Sequence, residues 1–219
     1  MARPAKRAEI PEPIAPEAPA EPVAVELLAS HDDVVEFTFG PADLANADLA
    51  HLRLVRGVVR AVQFTSTRLR GCTLVDVQFD DCEFSGADFH DASLTRVAFR
   101  NCRMVGVGYS EAELGHVRFN DCKLDDANFR FARLDHVWAD SSSLREADAY
   151  EASLVAVRFD VCDLTRVDLA KATIDGLDLR GSTIDELRGA ALLRDVRIGA
   201  DQVVPLAMSV FAETGIRID

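Results

Sequence analysis

Apolar residues recur along this chain every five positions. From Leu44 the register runs through Leu49, Leu54, Val59, Phe64, Leu69, Leu74, Phe79, Phe84 and Phe89, and it continues without insertion to Ile184 as 29 consecutive pentapeptides. Of the 29 central positions, 27 carry Leu, Ile, Val, Met, Phe or Tyr; only Ala139 and Ala149 are small. Two residues before each centre lies a second apolar position, filled ten times by Ala, eight times by Val and five times by Cys. A helix repeats its apolar residues about every 3.6 positions and a strand every two, so neither accounts for a strict five. The in–out–in alternation within each unit is strand-like, and the two remaining residues form a corner.

A longer period lies over the first. Positions 54, 74, 94, 114, 134 and 154 are all Leu, with Ile at 174; positions 79, 99, 119 and 159 are Phe. Positions 77, 97, 117, 137 and 157 are Val, and 92, 112, 132, 152 and 172 are Ala. Each column repeats every 20 residues, so four pentapeptides close one coil and like residues stack on like. The pattern predicts a four-faced solenoid whose backbone groups pair between successive coils.

At "ADLAN-ADLAH", "CEFSG-ADFHD" and "CKLDD-ANFRF" the chain resembles the pentapeptide repeat family, whose consensus is roughly A(D/N)LXX. The resemblance implies an all-β fold, a right-handed quadrilateral β-helix. The 29 units predict about seven coils and, at a strand spacing of roughly 4.8 Å, a rod about 35 Å long. The expected organisation is a disordered Pro/Ala-rich tail over 1–30, an N-terminal cap or first coil over 31–41, the β-helix over 42–186, and a C-terminal cap over 187–219. Six of the eight prolines fall in the first 22 residues, a composition that buries little apolar area. Val34, Phe37 and Phe39 extend the register backwards.

Beyond Leu187 the period of five is lost, and residues 201–213 are expected to form a short helical cap with Asp201 as its N-cap and Gly215 beyond its end. Pro205 fits only in a first turn. Val203, Val204, Leu206, Ala207, Val210 and Phe211 make this segment apolar around much of its circumference, more than a single capping contact requires. The segment is similar to the C-terminal region of mycobacterial-type gyrase-interacting pentapeptide proteins, and that resemblance implies a homodimer through these residues.

Candidate chemistry is sparse. All five cysteines (72, 82, 102, 122, 162) occupy the inward position before a centre, with no C-x-x-C spacing, and read as small buried apolar residues. His116 and His136 stack one coil apart beside Asp135, a weak metal pair at most. No Gly-rich phosphate loop, H-E-x-x-H or G-x-S-x-G motif occurs, so no catalytic, cofactor or metal residues are assigned and no enzyme activity is expected. One coil is irregular: over 137–156 both Ala139 and Ala149 replace large centres, while Trp138, Tyr150 and nearby Phe131 point outward. That combination reads either as a thin core rebalanced by repacking or as a bend or aromatic contact patch.

Charge adds a direction to the rod. The chain carries a formal −13 with a pI near 4.8, which disfavours nucleic acid and anionic membranes as direct partners. No apolar run is long enough for a membrane span, and the N-terminus lacks an apolar signal core, so a cytoplasmic protein is expected. By whole pentapeptides, the first face (Leu44, Phe84, Leu124) holds 8 acids and 4 bases and the second (Leu49, Phe89, Phe129) holds 7 and 4. The third face, with the Leu54 column, and the fourth, with the Phe79 column, hold 4 against 4 and 6 against 5. The candidate partner-binding acids on the two charged faces are Glu83, Asp88, Asp91, Glu111, Asp125, Asp126, Glu146, Asp148, Glu151, Asp163 and Asp168. A negative stripe on a rigid rod presents charge much as a duplex backbone does. By resemblance, the protein is expected to mimic DNA and bind a type II topoisomerase, DNA gyrase, either inhibiting it or protecting it from quinolone-like poisons. The alternative is a generic protein–protein scaffold with an unrelated partner.

Overall fold

The computed structural model describes residues 33–217. The tail expected over 1–30, the first two residues of the N-terminal cap and the last two of the chain lie outside them. The described chain forms a parallel β-solenoid of about eight turns closed by one short helix, α1 (Val203–Thr214). That is one turn more than the repeat count predicts, for a physical reason at each end. Strand β1 (Val34–Phe39) already stacks in register on the next coil, Val34 opposite Leu54 and Phe39 opposite Val59. At the other end Val196–Arg197 lies over Leu177–Asp178 although the pentapeptide pattern has ended.

The 20-residue columns are the pairing register. Leu54, Leu74, Leu94, Leu114, Leu134, Leu154 and Ile174 pair successively, all parallel. The third and fourth faces carry the longer strands, such as Arg53–Arg60 and Thr73–Asp80, which run through the corner between them. Apart from a two-residue ladder of Ala42–Asp43 with Val62–Gln63, the first and second faces pair through single bridges instead, such as Asp88 to Gly108 and Asn128 to Asp148. Centres and the residues two before them fill the interior, where Phe79, Phe99 and Phe119 stack with centroids 5.1 and 5.2 Å apart. A second column stacks Phe89, Tyr109 and Phe129 at 4.9 and 5.3 Å.

The corners explain why the unit has five residues. Every residue two positions after a centre, from Asn46 to Glu186, has positive φ. Only five of these are glycines (71, 86, 106, 176 and 181), so most corners accept the left-handed conformation at a cost of very roughly 1–2 kcal/mol each. The return is a backbone bond per corner: the N–H of Asn46 donates to Thr65 O at 2.9 Å, and that of Ser66 to Ser85 O at 2.9 Å, one coil further on. On the first and second faces the corner is also a closed turn, as where Ala87 N donates to Phe84 O and Ala92 N to Phe89 O.

The C-terminal cap is held by two polar side chains. Gln202 is buried; its amide donates to Leu179 O and Ser182 O at 2.7 and 2.5 Å, and its Oε1 accepts the Gly199 N–H at 2.7 Å. Glu213 accepts N–H groups from Gly189, Ala190 and Ala191. The helix starts later than expected: Asp201 lies in a single 3-10 turn (Ala200–Gln202), and Gln202 takes the N-cap position without a side-chain cap bond. Pro205 does fall in the first turn, and Gly215 closes the helix in the left-handed conformation at φ 73°. Among the described residues no helix is long and apolar enough to cross a membrane.

Candidate functional site

The acids of the two charged faces fall into distinct structural roles. Glu83, Asp88, Asp148, Asp163 and Asp168 precede a centre, where a side-chain oxygen accepts the backbone N–H two residues on: Ser85 for Glu83 at 2.8 Å, His90 for Asp88 at 3.0 Å, Tyr150 for Asp148 at 2.9 Å, Thr165 for Asp163 at 3.0 Å and Ala170 for Asp168 at 2.8 Å. These bonds brace the closed turns of the first two faces, which is the physical basis of the A(D/N)L preference. The same position on the third and fourth faces holds acids only at Glu113 and Asp178. Much of the charge asymmetry is therefore turn chemistry.

The other six sit at or next to corners. Asp91, Glu111, Asp126, Glu146 and Glu151 are exposed left-handed corner residues, and Asp125 accepts from Ser143 and, at 3.2 Å, from the Arg145 N–H. Ion pairs occupy eight of the eleven: Glu83–Arg103 (3.6 Å), Asp88–Arg70, Asp125–Lys123 (3.3 Å), Glu146–Arg166 (3.4 Å), Asp148–Arg130 (2.8 Å), Glu151–Lys171 (3.2 Å), Asp163–Arg145 (3.0 Å) and Asp168–Arg188 (3.9 Å). Asp91, Glu111 and Asp126 have no such partner among the described residues. Asp91 and Glu111 occupy one corner column on successive coils. Burial pushes the Asp163 carboxyl upward, but hydrogen bonds from Thr165 and Arg145 outweigh it and hold the group below its usual range. Lys171 and Tyr150 hold Glu151 low as well.

The cysteines line the interior, and their thiols donate to carbonyls: Cys82 to Asp80 O at 3.3 Å, Cys102 to Arg100 O at 3.3 Å and Cys122 to Asn120 O at 3.3 Å. Burial pushes the Cys72 thiol up to about 12 and that of Cys162 to about 11. Ser142 and Ser182 continue this column and accept the N–H groups of Cys122 and Cys162 at 3.0 Å. His116 and His136 stack with centroids 4.9 Å apart, while the Nδ1 of His136 faces Asp135 at 2.7 Å.

The irregular coil does not gather its aromatics into one patch. Phe131 and Tyr150 meet edge to face at 6.2 Å on the second face, with the Arg130 guanidinium over both rings. Trp138 lies on the fourth face between Arg118 and Arg158, at 5.2 and 5.1 Å. The backbone register continues through this coil, with Ala139 opposite Phe119 below and Phe159 above, so there is no break in the ladder.

The proposed dimer residues also divide. Val203 and Val204 are 53% and 69% exposed; Leu206, Ala207, Val210 and Phe211 are half-buried, with Leu206 packed against the core. The exposed apolar surface instead includes Met208, one turn beyond Val204, together with Leu192 and Ile216. Sequence reasoning missed Met208, although its spacing of four from Val204 puts both on one helix face.

Among known protein families, the model described as "Pentapeptide repeat region" matches residues 35–107, 92–155 and 112–188. No curated protein matches the chain by sequence. Among solved structures, HetL, a pentapeptide repeat protein involved in heterocyst differentiation regulation in the cyanobacterium Nostoc, is 20% identical, with 76% of this chain and 87% of that one covered and a TM-score of 0.47. Full-length QnrB1, a plasmid-mediated fluoroquinolone resistance protein, is 18% identical over 94% and 95% of the two chains, with a TM-score of 0.44. A pentapeptide repeat protein from the cyanobacterium Cyanothece, Rfr23, is 15% identical over 63% and 91%, with a TM-score of 0.38. With overlapping matches running from residue 35 to 188 and one left-handed corner in every unit, the chain belongs to the pentapeptide repeat family.

Proposed function

We propose that this protein is a non-enzymatic DNA mimic whose first and second faces occupy the duplex-binding surface of a type II topoisomerase, DNA gyrase. The observation that carries this reading is that three of the candidate acids, Asp91, Glu111 and Asp126, hold no ion pair among the described residues and stand exposed at fixed left-handed corners of a regular ladder. A duplex presents one phosphate charge about every 3.4 Å per strand, and coils stacked at roughly 4.8 Å offer carboxylates on a similar scale. Binding would either inhibit the enzyme or shield it from quinolone-like poisons, and the proposed site of action is the cytoplasm. The test is a supercoiling assay with purified protein, repeated with Asp91→Lys, Glu111→Lys and Asp126→Lys combined. None of the three braces a turn or holds an ion pair, so the triple variant should fold and lose the effect. A wild type that leaves gyrase and topoisomerase IV unaffected would sink this reading.

The second reading, a scaffold for an unrelated protein partner, is favoured by the eight acids already paired with arginine or lysine. We also propose that a second copy of the chain covers the apolar face of α1, centred on Val203, Val204 and Met208. Light scattering of Val204→Asp tests this: it should have half the wild-type mass, and equal masses would end the proposal.

A further inference from the structure

We infer that the coil 137–156 encloses an internal site for a small apolar guest. Both aromatic columns of the core are interrupted there, one resuming at Phe159 and the other giving way to Leu169. The stack Phe79–Phe99–Phe119 meets Ala139, and the stack Phe89–Tyr109–Phe129 meets Ala149, on the opposite wall of the same coil. An apolar core cavity of about 40 Å³ results, bounded by Ala139, Ala149, Phe119, Phe129, Leu154 and Phe159 among others.

In an ordinary core, neighbouring elements shift inward when two large side chains become alanines, and part of the void disappears. Here the wall cannot follow. Its backbone is bonded to the coils on both sides: Asp148 N donates to Ala127 O at 2.9 Å, Ala149 N to Asp168 O at 2.8 Å and Leu144 N to Asp163 O at 2.8 Å. Those neighbouring coils carry full-sized centres and set the perimeter. Every side chain lining the cavity is apolar, so water would find no hydrogen-bond partner and the space stays dry. The guest is therefore a molecule without hydrogen-bonding groups. It is also small: a dry apolar cavity of about 150 Å³ takes benzene or xenon, and the volume here is about a quarter of that, which limits the guest to a xenon atom or a molecule of a few heavy atoms.

Xenon dissolved with the full, methyl-labelled chain tests the site by nuclear magnetic resonance. Saturable shifts are expected at the methyls of Ala139, Ala149 and Leu154, with none at Leu94, which lies outside the cavity. Ala149→Leu, which restores the residue type of Leu169 one coil on, should abolish them. Ala139→Phe, matching Phe119 and Phe159, should do the same. Wild type without saturable shifts, or a folded filled variant that keeps them, would overturn the inference. The two variants fill the space from opposite walls, so one decides the matter if the other does not fold.

Discussion

Val161 shows how far a single residue can depart from the corner rule. It has φ 54° and is 64% exposed, at a column otherwise filled by Ala61, Asp81, Asn101, Asp121, Ser141 and Gly181. A β-branched side chain in the left-handed region is a genuine outlier, and here no burial offsets it. Val161→Asn is expected to stabilise the protein by about 1 kcal/mol, because asparagine tolerates this conformation; calorimetric melting of the two proteins checks this. The thiols give a second residue-scale expectation. With Cys72 raised to about 12 and Cys162 to about 11, all five buried cysteines should resist a thiol reagent at pH 8 and react once urea unfolds the chain. Reaction of any thiol in the native state at the rate of a free cysteine would contradict the packing. Acid acts through Asp178, whose carboxyl is held below its ordinary value of 3.8 by hydrogen bonds from Arg180, burial opposing them. A depressed folded pKa contributes stability that is present above the unfolded value and is lost as pH falls through the folded one. Denaturation midpoints should therefore drop below about pH 4, and the drop should shrink in Asp178→Asn.

At the scale of elements, the cap depends on Gln202 as much as on the packing of Leu206 of α1 against the core. Its amide satisfies two carbonyls that the last coil would otherwise leave buried and unpaired. Each such orphan costs about 1–3 kcal/mol, so Gln202→Ala should lose at least about 2 kcal/mol in urea unfolding. An unchanged midpoint would mean that water replaces the amide. The β-helix is legible in the sequence because its period is the pairing register itself: the Leu54 column could be read without coordinates. The cap is not legible in the same way. Gln202 stands 20 positions beyond Ser182 and 23 beyond Leu179, the offset at which Cys102 meets Phe79 O and Ser142 meets Phe119 O, so it continues the inward column; but the apolar pattern that marks that column has ended by then, and a polar residue does not announce the position. The candidate acids stand between these cases. Their placement outside follows from the register, but the turn-bracing bonds of Asp88 or Asp168 depend on which corners close, and the apolar pentapeptide pattern looks alike on all four faces; the crowding of acids before the centres of the first two faces is the one trace of it in the sequence.

For the whole molecule, the distinction between bracing and unpaired acids decides how the partner proposal should be probed. Charge reversal at Asp88 or Asp148 removes a turn bond and an ion pair together, so lost binding there would be confounded with lost structure. Asp91, Glu111 and Asp126 carry no such double duty. A binding titration against salt should accordingly lose slope in their triple lysine variant while its melting temperature stays near wild type. Equal slopes would place the contact elsewhere on the rod.

The coil of four equal units also makes the molecule adjustable in two separate ways. Duplicating 20 residues, for example 93–112, would lengthen the rod by roughly 4.8 Å and leave every face where it was. Deleting one pentapeptide would shorten it hardly at all, yet would rotate everything downstream by a quarter turn. The acids beyond the deletion would then continue a neighbouring face, and α1 would leave the rod in a new direction. Length and azimuth are thus encoded independently, one in whole coils and the other in single units.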